Sequence, residues 1–539
     1  MPVVSIALPA LESRQRGYAF LRGSLNRMMA SGEHRLKVAS WATLIVLLGG
    51  GLRLLSFAHD EVINPDGIVY IQQAKALHYG LFHLVTSCIP SVSVYPLLIE
   101  TGYRLVGDWV LSARIISLLA GTLVLIPLYG LLRRFHDATI SSLALLIFAV
   151  NPTFVGWSHS VIRDPVFWVF LVTGIYFFVL QIEGSKGRYL VLSALCFLAA
   201  SWARIEAVVF ILVSLCFLVF FPGKGRLKGA VLFGVPVLAF LASALSAGFI
   251  LGQDFAEILR LEMVGERLFG FVQNYKGLRE QLNALIENPP AEFPPYFFSY
   301  VRNLAWFIAL GTLGVYVARA FFVPFFIVFL IGVGDRGVRL RRDLRLLYLS
   351  ILSCVALVVL YGQILSTWFM YTRFAALFLL PSFVFVGFGL SRIADYAAVR
   401  LNAKKQTICL MLCLIVLVVS LPKSLKPKDE SPKPVFKEVG EYVGRLEPLK
   451  RAVFVKGNMK EIQLVNFYAN RDRESAECYL VQPSSGRFAE ASDWDYLLLS
   501  SQEGDSVGLS PAQAEISLVM LKQWRIRDNR HLTLFEVRH

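Results

Sequence analysis

Long apolar blocks alternate with short hydrophilic pieces along this chain, and the blocks share nearly one length. Ser40–Phe57, Ile115–Leu132, Ser142–Trp157, Val166–Leu180, Val208–Phe221, Val231–Leu251, Leu346–Leu365, Phe374–Leu390 and Thr407–Leu421 are the clearest. A helix needs about 20 apolar residues, or somewhat fewer, to cross ~30 Å of hydrocarbon. A water-soluble domain has no reason to repeat that length. A further span leads into Arg204. Leu304–Gly334 is too long for one upright helix and is interrupted by Arg319 and Pro324, so it reads as an interfacial helix followed by another span. The pattern predicts about eleven membrane-spanning helices.

The periodicity changes at Pro422. A Lys/Pro-rich linker over 422–434 leads into residues 435–539, which alternate as a small soluble domain does. Val435–Leu446, Lys460–Ala469 and Pro511–Trp524 read as helices. Ala452–Lys456, Cys478–Val481, Tyr496–Leu499 and Leu532–Val537 read as strands. That alternation predicts a small α/β domain. It holds no glycine-rich phosphate loop and no metal-spaced Cys/His set, so no chemistry is assigned to it.

Composition agrees with the membrane reading. Of 539 residues, 56% are hydrophobic and only 17% charged, against about 25% charged in a soluble protein. The net charge of +15 changes the picture only through its distribution. With a cytoplasmic N-terminus, the inner segments are 1–37, 133–137, 183–188, 222–228, 335–345 and 392–406. They carry about 22 Lys and Arg against about 7 Asp and Glu, the asymmetry that the positive-inside rule describes. The basic surplus is thus a topology signal, divided among short loops, and argues against nucleic acid as a partner. The organisation expected is a cytoplasmic tail over 1–37, a transmembrane domain over 38–421 with outer segments 58–110 and 252–303, the linker, and a tail domain outside the cytoplasm. Met1–Lys37 is basic and weakly apolar, unlike a cleavable signal. Five of the seven cysteines lie in apolar segments. Cys88 and Cys478 fall on the outer side, where a disulfide can form between them.

The stretch His59-Asp60-Glu61-Val62-Ile63-Asn64-Pro65-Asp66-Gly67-Ile68-Val69-Tyr70 follows the first span and gathers three carboxylates at the membrane surface. Pro-Asp-Gly before an apolar-periodic run is a helix start, with Asp66 as its N-cap. Arg163-Asp164-Pro165 likewise reads as an N-cap with proline at the first helical position. Capping explains each aspartate separately, but not why both open on the same outer face. Two carboxylates converging on an outer cavity can deprotonate and orient an acceptor. The outer cations Arg204 and Arg373 each lie in a short turn between spans, with Glu206 beside Arg204. Most outer arginines snorkel to headgroups, whereas a constrained guanidinium is suited to bidentate pairing with a phosphate. The outer histidines have no ligand spacing, and no metal site is expected.

In order, these residues resemble the GT-C glycosyltransferases, especially the bacterial branch with the lipid A aminoarabinose transferase and the relatives of the protein O-mannosyltransferases. Pro65-Asp66-Gly67-Ile68-Val69-Tyr70 resembles the family's Pro-Asp-Glu-x-x-Tyr. Ala74, Leu77 and Gly80 then follow at its Ala-x-x-Leu-x-x-Gly positions. Tyr95-Pro96, Ala113-Arg114-Ile115, Asp164, Arg204-Ile205-Glu206 (family Arg-Pro-Glu) and Arg373-Phe374 before Pro381 continue the match over roughly the first 400 residues. Two departures stand out. Gly67 replaces the second carboxylate, for which Asp60-Glu61 is the nearest substitute. Val94-Tyr95-Pro96 replaces a Lys-Pro-Pro stretch whose lysine meets the donor phosphate.

The resemblance implies a GT-C helical bundle in the bacterial inner membrane, moving a sugar from a polyprenyl-phosphate donor to a glycan, lipid or protein at the periplasmic face, with inversion. By that implication Asp66 is the general base and Asp164 orients the acceptor. Arg373 and Arg204 stabilise the departing phosphate, and Glu206, Tyr70, Asp60 and Glu61 contribute to substrate binding. No cofactor is implied. The competing expectations are a flippase for lipid-linked oligosaccharides, with polar groups at mid-membrane, and a non-catalytic membrane scaffold.

Overall fold

A computed structural model describes residues 41–59, 62–89, 91–184, 186–221, 226–251, 261–335, 343–426, 432–447, 452–457, 459, 461–477, 495–502, 517–526 and 530–538. Asp60, Glu61, Cys478 and the segment 1–37 lie outside them. Seven helices are long and apolar enough to cross a membrane: Trp41–His59, Trp109–Leu132, Asp164–Gly184, Leu227–Ser246, Phe297–Phe321, Leu344–Thr367 and Lys405–Ser424. An eighth is formed if Thr372–Ser382 and Val384–Arg400, bent by 67°, make one crossing. The protein is a multi-pass membrane protein.

The expected count of eleven is not established. The third, fifth and sixth expected spans coincide with the shorter apolar helices Ala138–Ala149, Gly187–Ala203 and Ile205–Phe220. The third is cut short because Asn151-Pro152 starts a separate helix, Pro152–Trp157, capped by the Asn151 side chain. Leu304–Gly334 also differs from expectation. Phe297–Phe321 is one long helix, and the chain breaks at Phe322, at φ 65°, before Pro324 starts the short helix Val323–Val333.

Asp164–Gly184 serves as a ruler for the bundle. Its 21 residues span roughly 30 Å at 1.5 Å per residue, the thickness of the hydrocarbon. Asp164, Arg204, Arg373 and Asp66 gather at one end. Glu183 sits at the other, bonded to Arg134 at 2.7 Å and to Arg345, which also holds Asp343 at 2.6 Å. Arg134, Glu183 and Arg345, which come from three segments expected on one side from charge, thus meet at one end of the bundle.

At the opposite end, the helix Pro65–His78 packs against the tail helix Ile462–Ala469 on one side and against Val94–Val106 on another. In the tail, β1 (Val455–Gly457), β2 (Tyr496–Gln502), β3 (Ser517–Ile526) and β4 (Arg530–Arg538) form one sheet in the order β1-β2-β4-β3, with only β1 and β2 parallel. Strand β3 corrects the helix expected to end at Trp524. Trp524 and Ile526 are buried while Gln523 and Arg525 are exposed, a two-residue period that pairing with β4 imposes. The helices Lys433–Leu446 and Ile462–Ala469 cross at Gly440, where a Cβ would lie 2.6 Å from the Val465 carbonyl oxygen. One apolar core joins Ile63, Ile68, Ile71, Ala74, Tyr95 and Val161 of the outer segments to Val439, Val465, Tyr468, Leu498 and Trp524 of the tail. Cys88 is disulfide-bonded, and the cysteines at 196, 216, 354, 409 and 413 are free thiols.

Candidate active site

Asp66 is the second residue of the helix Pro65–His78, whose N-cap is Asn64. The expectation that Asp66 is the cap is therefore corrected. Pro65 fits the first helical position because its missing N–H has no intrahelical partner there, and a carboxylate in the first turn is favoured by the helix dipole. Its side chain is left to reach outward. Asp164 similarly opens the helix Asp164–Gly184, ahead of Pro165. Arg204 occupies the single extended residue between the helix Gly187–Ala203 and the 3-10 turn Ile205–Ala207. Arg373 lies in the 3-10 turn Thr372–Ala375 that leads into the bent span.

These four starts and turns place their side chains in one charged cluster. Arg373 Nη2 bonds Asp66 Oδ2, and its Nε lies 3.8 Å from Asp164 Oδ2. Arg204 Nη1 bonds Asp164 Oδ1 at 2.5 Å, and its Nη2 and Nε reach Glu206 at 3.1 and 3.4 Å. Exposure separates the members: the side chains of Arg204, Asp164 and Arg373 are 5–6% exposed, that of Asp66 44%. Asp66 is therefore the solvent-exposed carboxylate of the cluster, and Asp164, Arg204 and Arg373 are buried behind it. Burial works against the Arg204 charge, but Glu206 and Asp164 outweigh it and hold the guanidinium above its ordinary pKa. Arg204 is fixed as a cation.

Aromatic faces complete the enclosure. The Arg373 guanidinium lies 5.0 Å from the ring centre of Trp157 and 4.6 Å from that of Tyr371, and Arg204 lies 4.1 Å from Phe374. A guanidinium held against aromatic faces keeps its N–H edge for anions. Among the described residues, Arg373 Nε is buried with no hydrogen-bond partner. The sequence pattern singled out Phe374, beside Arg373, but neither Trp157 nor Tyr371. For Tyr371 the available signal was its place two residues before Arg373.

Tyr70 lies one turn beyond Asp66, buried edge-on against Tyr95 at 5.4 Å. Burial raises its phenol pKa, and Asp66 and Asp164 add to that against the opposing Arg163 and Arg373. It stays protonated and lies within electrostatic reach of both carboxylates. Tyr95 bonds the Ala113 carbonyl at 2.9 Å and Ser117 at 2.7 Å, so it anchors this floor. Gly67 has a steric explanation: a Cβ there would lie 2.8 Å from the Cβ of buried Val161. No side chain fits where the related pattern has glutamate. Asp60 and Glu61, the proposed substitutes, lie outside the described residues. Among the described residues, no three His, Cys, Asp or Glu side chains are grouped to hold a metal ion.

One further charge went unnoticed in the sequence. Arg53, within the first span, is fully buried and donates to the carbonyls of Gly49 and Ala149, both at 2.9 Å, and to Ser158 Oγ at 3.0 Å. It ties the first span to the segment that leads into Asp164.

Residues 92–246 match the family model described as dolichyl-phosphate-mannose-protein mannosyltransferase. No curated protein sequence matches the chain. Two solved structures share its fold at low identity. The archaeal oligosaccharyltransferase AglB from Archaeoglobus fulgidus, in complex with an inhibitory peptide and a dolichol-phosphate, is 14% identical. It aligns over 86% of this chain and 69% of its own, with a TM-score of 0.53. ArnT from Cupriavidus metallidurans, bound to undecaprenyl phosphate, is 12% identical. It aligns over 92% of this chain and 98% of its own, with a TM-score of 0.51. The fold is that of these GT-C enzymes.

Proposed function

We propose that this chain is a membrane glycosyltransferase that moves a sugar from a polyprenyl-phosphate donor to an acceptor at the outer face of the inner membrane. The observation that carries the proposal is the cluster itself, in which solvent-reachable Asp66 shares Arg373 with buried Asp164. The match to a lipid-linked mannosyltransferase family and the fold shared with proteins bound to dolichol-phosphate and undecaprenyl phosphate support a lipid-linked donor. They do not favour a flippase or a scaffold. The charge bias of the inner segments supports a cytoplasmic N-terminus and a periplasmic tail.

In this reading, a donor phosphate engages the edge of Arg373, where it competes with Asp66 for one guanidinium. Donor binding thereby frees Asp66 to accept a proton. The acceptor hydroxyl gives its proton to the Asp66 carboxylate as its oxygen bonds the sugar C1. The bond from C1 to the phosphate oxygen breaks, and its electron pair leaves with the phosphate, so the configuration inverts. Arg373 neutralises the growing charge, with Arg204 behind it. Asp164 orients Arg373 and the acceptor, Glu206 holds Arg204, and Tyr70 keeps a neutral donor beside the carboxylates.

Asp66→Asn tests this directly. The amide keeps the shape and removes the base. Transfer from an undecaprenyl-phosphate hexose is expected to fall by about 10²-fold or more, with undecaprenyl phosphate still bound. Undiminished transfer overturns the assignment. Mass spectrometry of envelope glycans from cells with and without the protein identifies the sugar and its acceptor.

A further inference from the structure

Lys75 lies two and a half turns along the helix that carries Asp66, and it is buried to 1% exposure. Its Nζ donates to the carbonyl oxygens of Asn470 at 3.0 Å and Arg471 at 3.3 Å. Both carbonyls belong to the chain leaving the tail helix Ile462–Ala469, at the negative end of its dipole. Among the described residues no carboxylate lies within ion-pair distance of this ammonium, so it is spent on backbone oxygens alone.

The acceptor end is built to stay in place. Asn470 is fully buried, receives the Val453 N–H at 2.9 Å, and donates to the carbonyls of Val453 and Asn466 at 2.7 and 2.9 Å. Arg473 braces the same end through the carbonyls of Ala469, Gly444 and Glu447. A second strut meets the other end of the outer helix: the Ile63 N–H donates to Tyr468 Oη at 3.1 Å, three residues before Asp66. On its far side, Gln73 Nε2 donates to the carbonyls of Val85 and Ser91.

We infer that Lys75 is a positioning residue, through which the tail domain fixes the outer helix and so sets Asp66 in register with Arg373 and Asp164. The inference rests on the catalytic reading of Asp66 given above. Nine residues separate Lys75 from Asp66, roughly 13 Å at 1.5 Å per residue, so the lysine acts through the helix. A tilt of about 10° about the Lys75 end moves Asp66 by ~2 Å over that arm, and a displacement of ~1 Å at a reacting group can cost about 10²-fold in rate. An apolar side chain would fill the same space without burying an ammonium. What the lysine adds is direction: two hydrogen bonds to fixed oxygens set both the rotation and the height of the helix.

The test is Lys75→Met in the full-length protein, with Lys75→Arg as the rescue. Hydrogen exchange of residues 62–78 reports helix position independently of activity, and turnover of an undecaprenyl-phosphate hexose reports the chemistry. In the Met variant, exchange across 62–78 is expected to accelerate. There kcat falls at least tenfold with KM for the donor within twofold, and Lys75→Arg recovers part of both. Unchanged exchange across 62–78 overturns the positioning role, as does a rate loss that only tracks the amount of folded protein. Faster exchange with undiminished kcat also overturns the positioning role, while Asp66→Asn assayed alongside reports separately on the catalytic reading of Asp66.

Discussion

At the scale of single residues, the cluster combines five charges, and their burial separates the tasks proposed for them. Arg204 lies between two carboxylates in a buried setting. Removing one partner from such a group leaves the others uncompensated, at a cost of about 3–5 kcal/mol. Arg204→Met is therefore expected to lower the thermal unfolding temperature in detergent as well as activity. Asp66→Asn, at the exposed edge, is expected to leave that temperature within a degree or two. Gly67 supplies the complementary case. Its Cβ position collides with Val161, so Gly67→Ala overpacks the helix start and is expected to cost about 1–3 kcal/mol. Val161→Ala in the same chain should return most of that, and a denaturation series on the single and double variants measures it. A Glu at 67 restores the related motif only on paper, because the helix must shift to hold it.

Asp66 and Arg373 are 307 positions apart. Charge bias and span order put both on one side of the membrane but said nothing of contact. Asp164 and Arg204 were visible as helix start and inter-span turn. Their direct bond was not, because it depends on how two spans pack. Lys75 was passed over for a physical reason: a lysine on an outer helix ordinarily points to water, and only the tail, almost 400 residues later, covers it.

At the scale of elements, the helix Pro65–His78 carries Asp66 in the proposed mechanism, and its interface with the tail is expected to respond to pH. Burial holds the Lys75 ammonium down to about 7, from an ordinary 10.5, with Asp472 opposing that shift and Arg473 adding to it. Between those values the unfolded chain binds a proton that the folded chain does not, so stability rises with pH across the window. Below about 7 both states are protonated, and the full cost of burying the charge is carried. The contact is expected to tighten from pH 7 toward pH 10, seen as slower hydrogen exchange across 62–78 after correction for intrinsic rates. In Lys75→Met that pH dependence should vanish. Strand β3 shows tertiary pairing deciding an element in the same way. Its sequence, Ser517–Ile526, has the apolar content of either a helix or a strand, and pairing with β4 rather than local preference decides the outcome.

At the scale of the whole molecule, the two ionic clusters define the ends of the bundle. Asp164 and Glu183 terminate one helix long enough to cross the hydrocarbon, and each gathers arginines from segments distant in sequence. The periodicity of apolar blocks made the membrane domain legible almost at once. The number of crossings was not, because helices such as Ala138–Ala149 are apolar enough to span but too short to do so upright. Orientation follows from charge rather than from shape. In the orientation proposed above, the end with Glu183, Arg134 and Arg345 belongs to the basic segments and faces the cytoplasm, and the Asp66 end and the tail face outward. Met520 on β3 is 61% exposed, which makes it a suitable reporter. In intact spheroplasts, Met520→Cys is expected to react with a membrane-impermeant maleimide, whereas a cysteine at exposed Tyr396 near the opposite end should react only after permeabilisation. The reverse pattern would turn the molecule over. It would also put the candidate site on the side where nucleotide sugars are made, leaving the family match and the fold as the support for a lipid-linked donor.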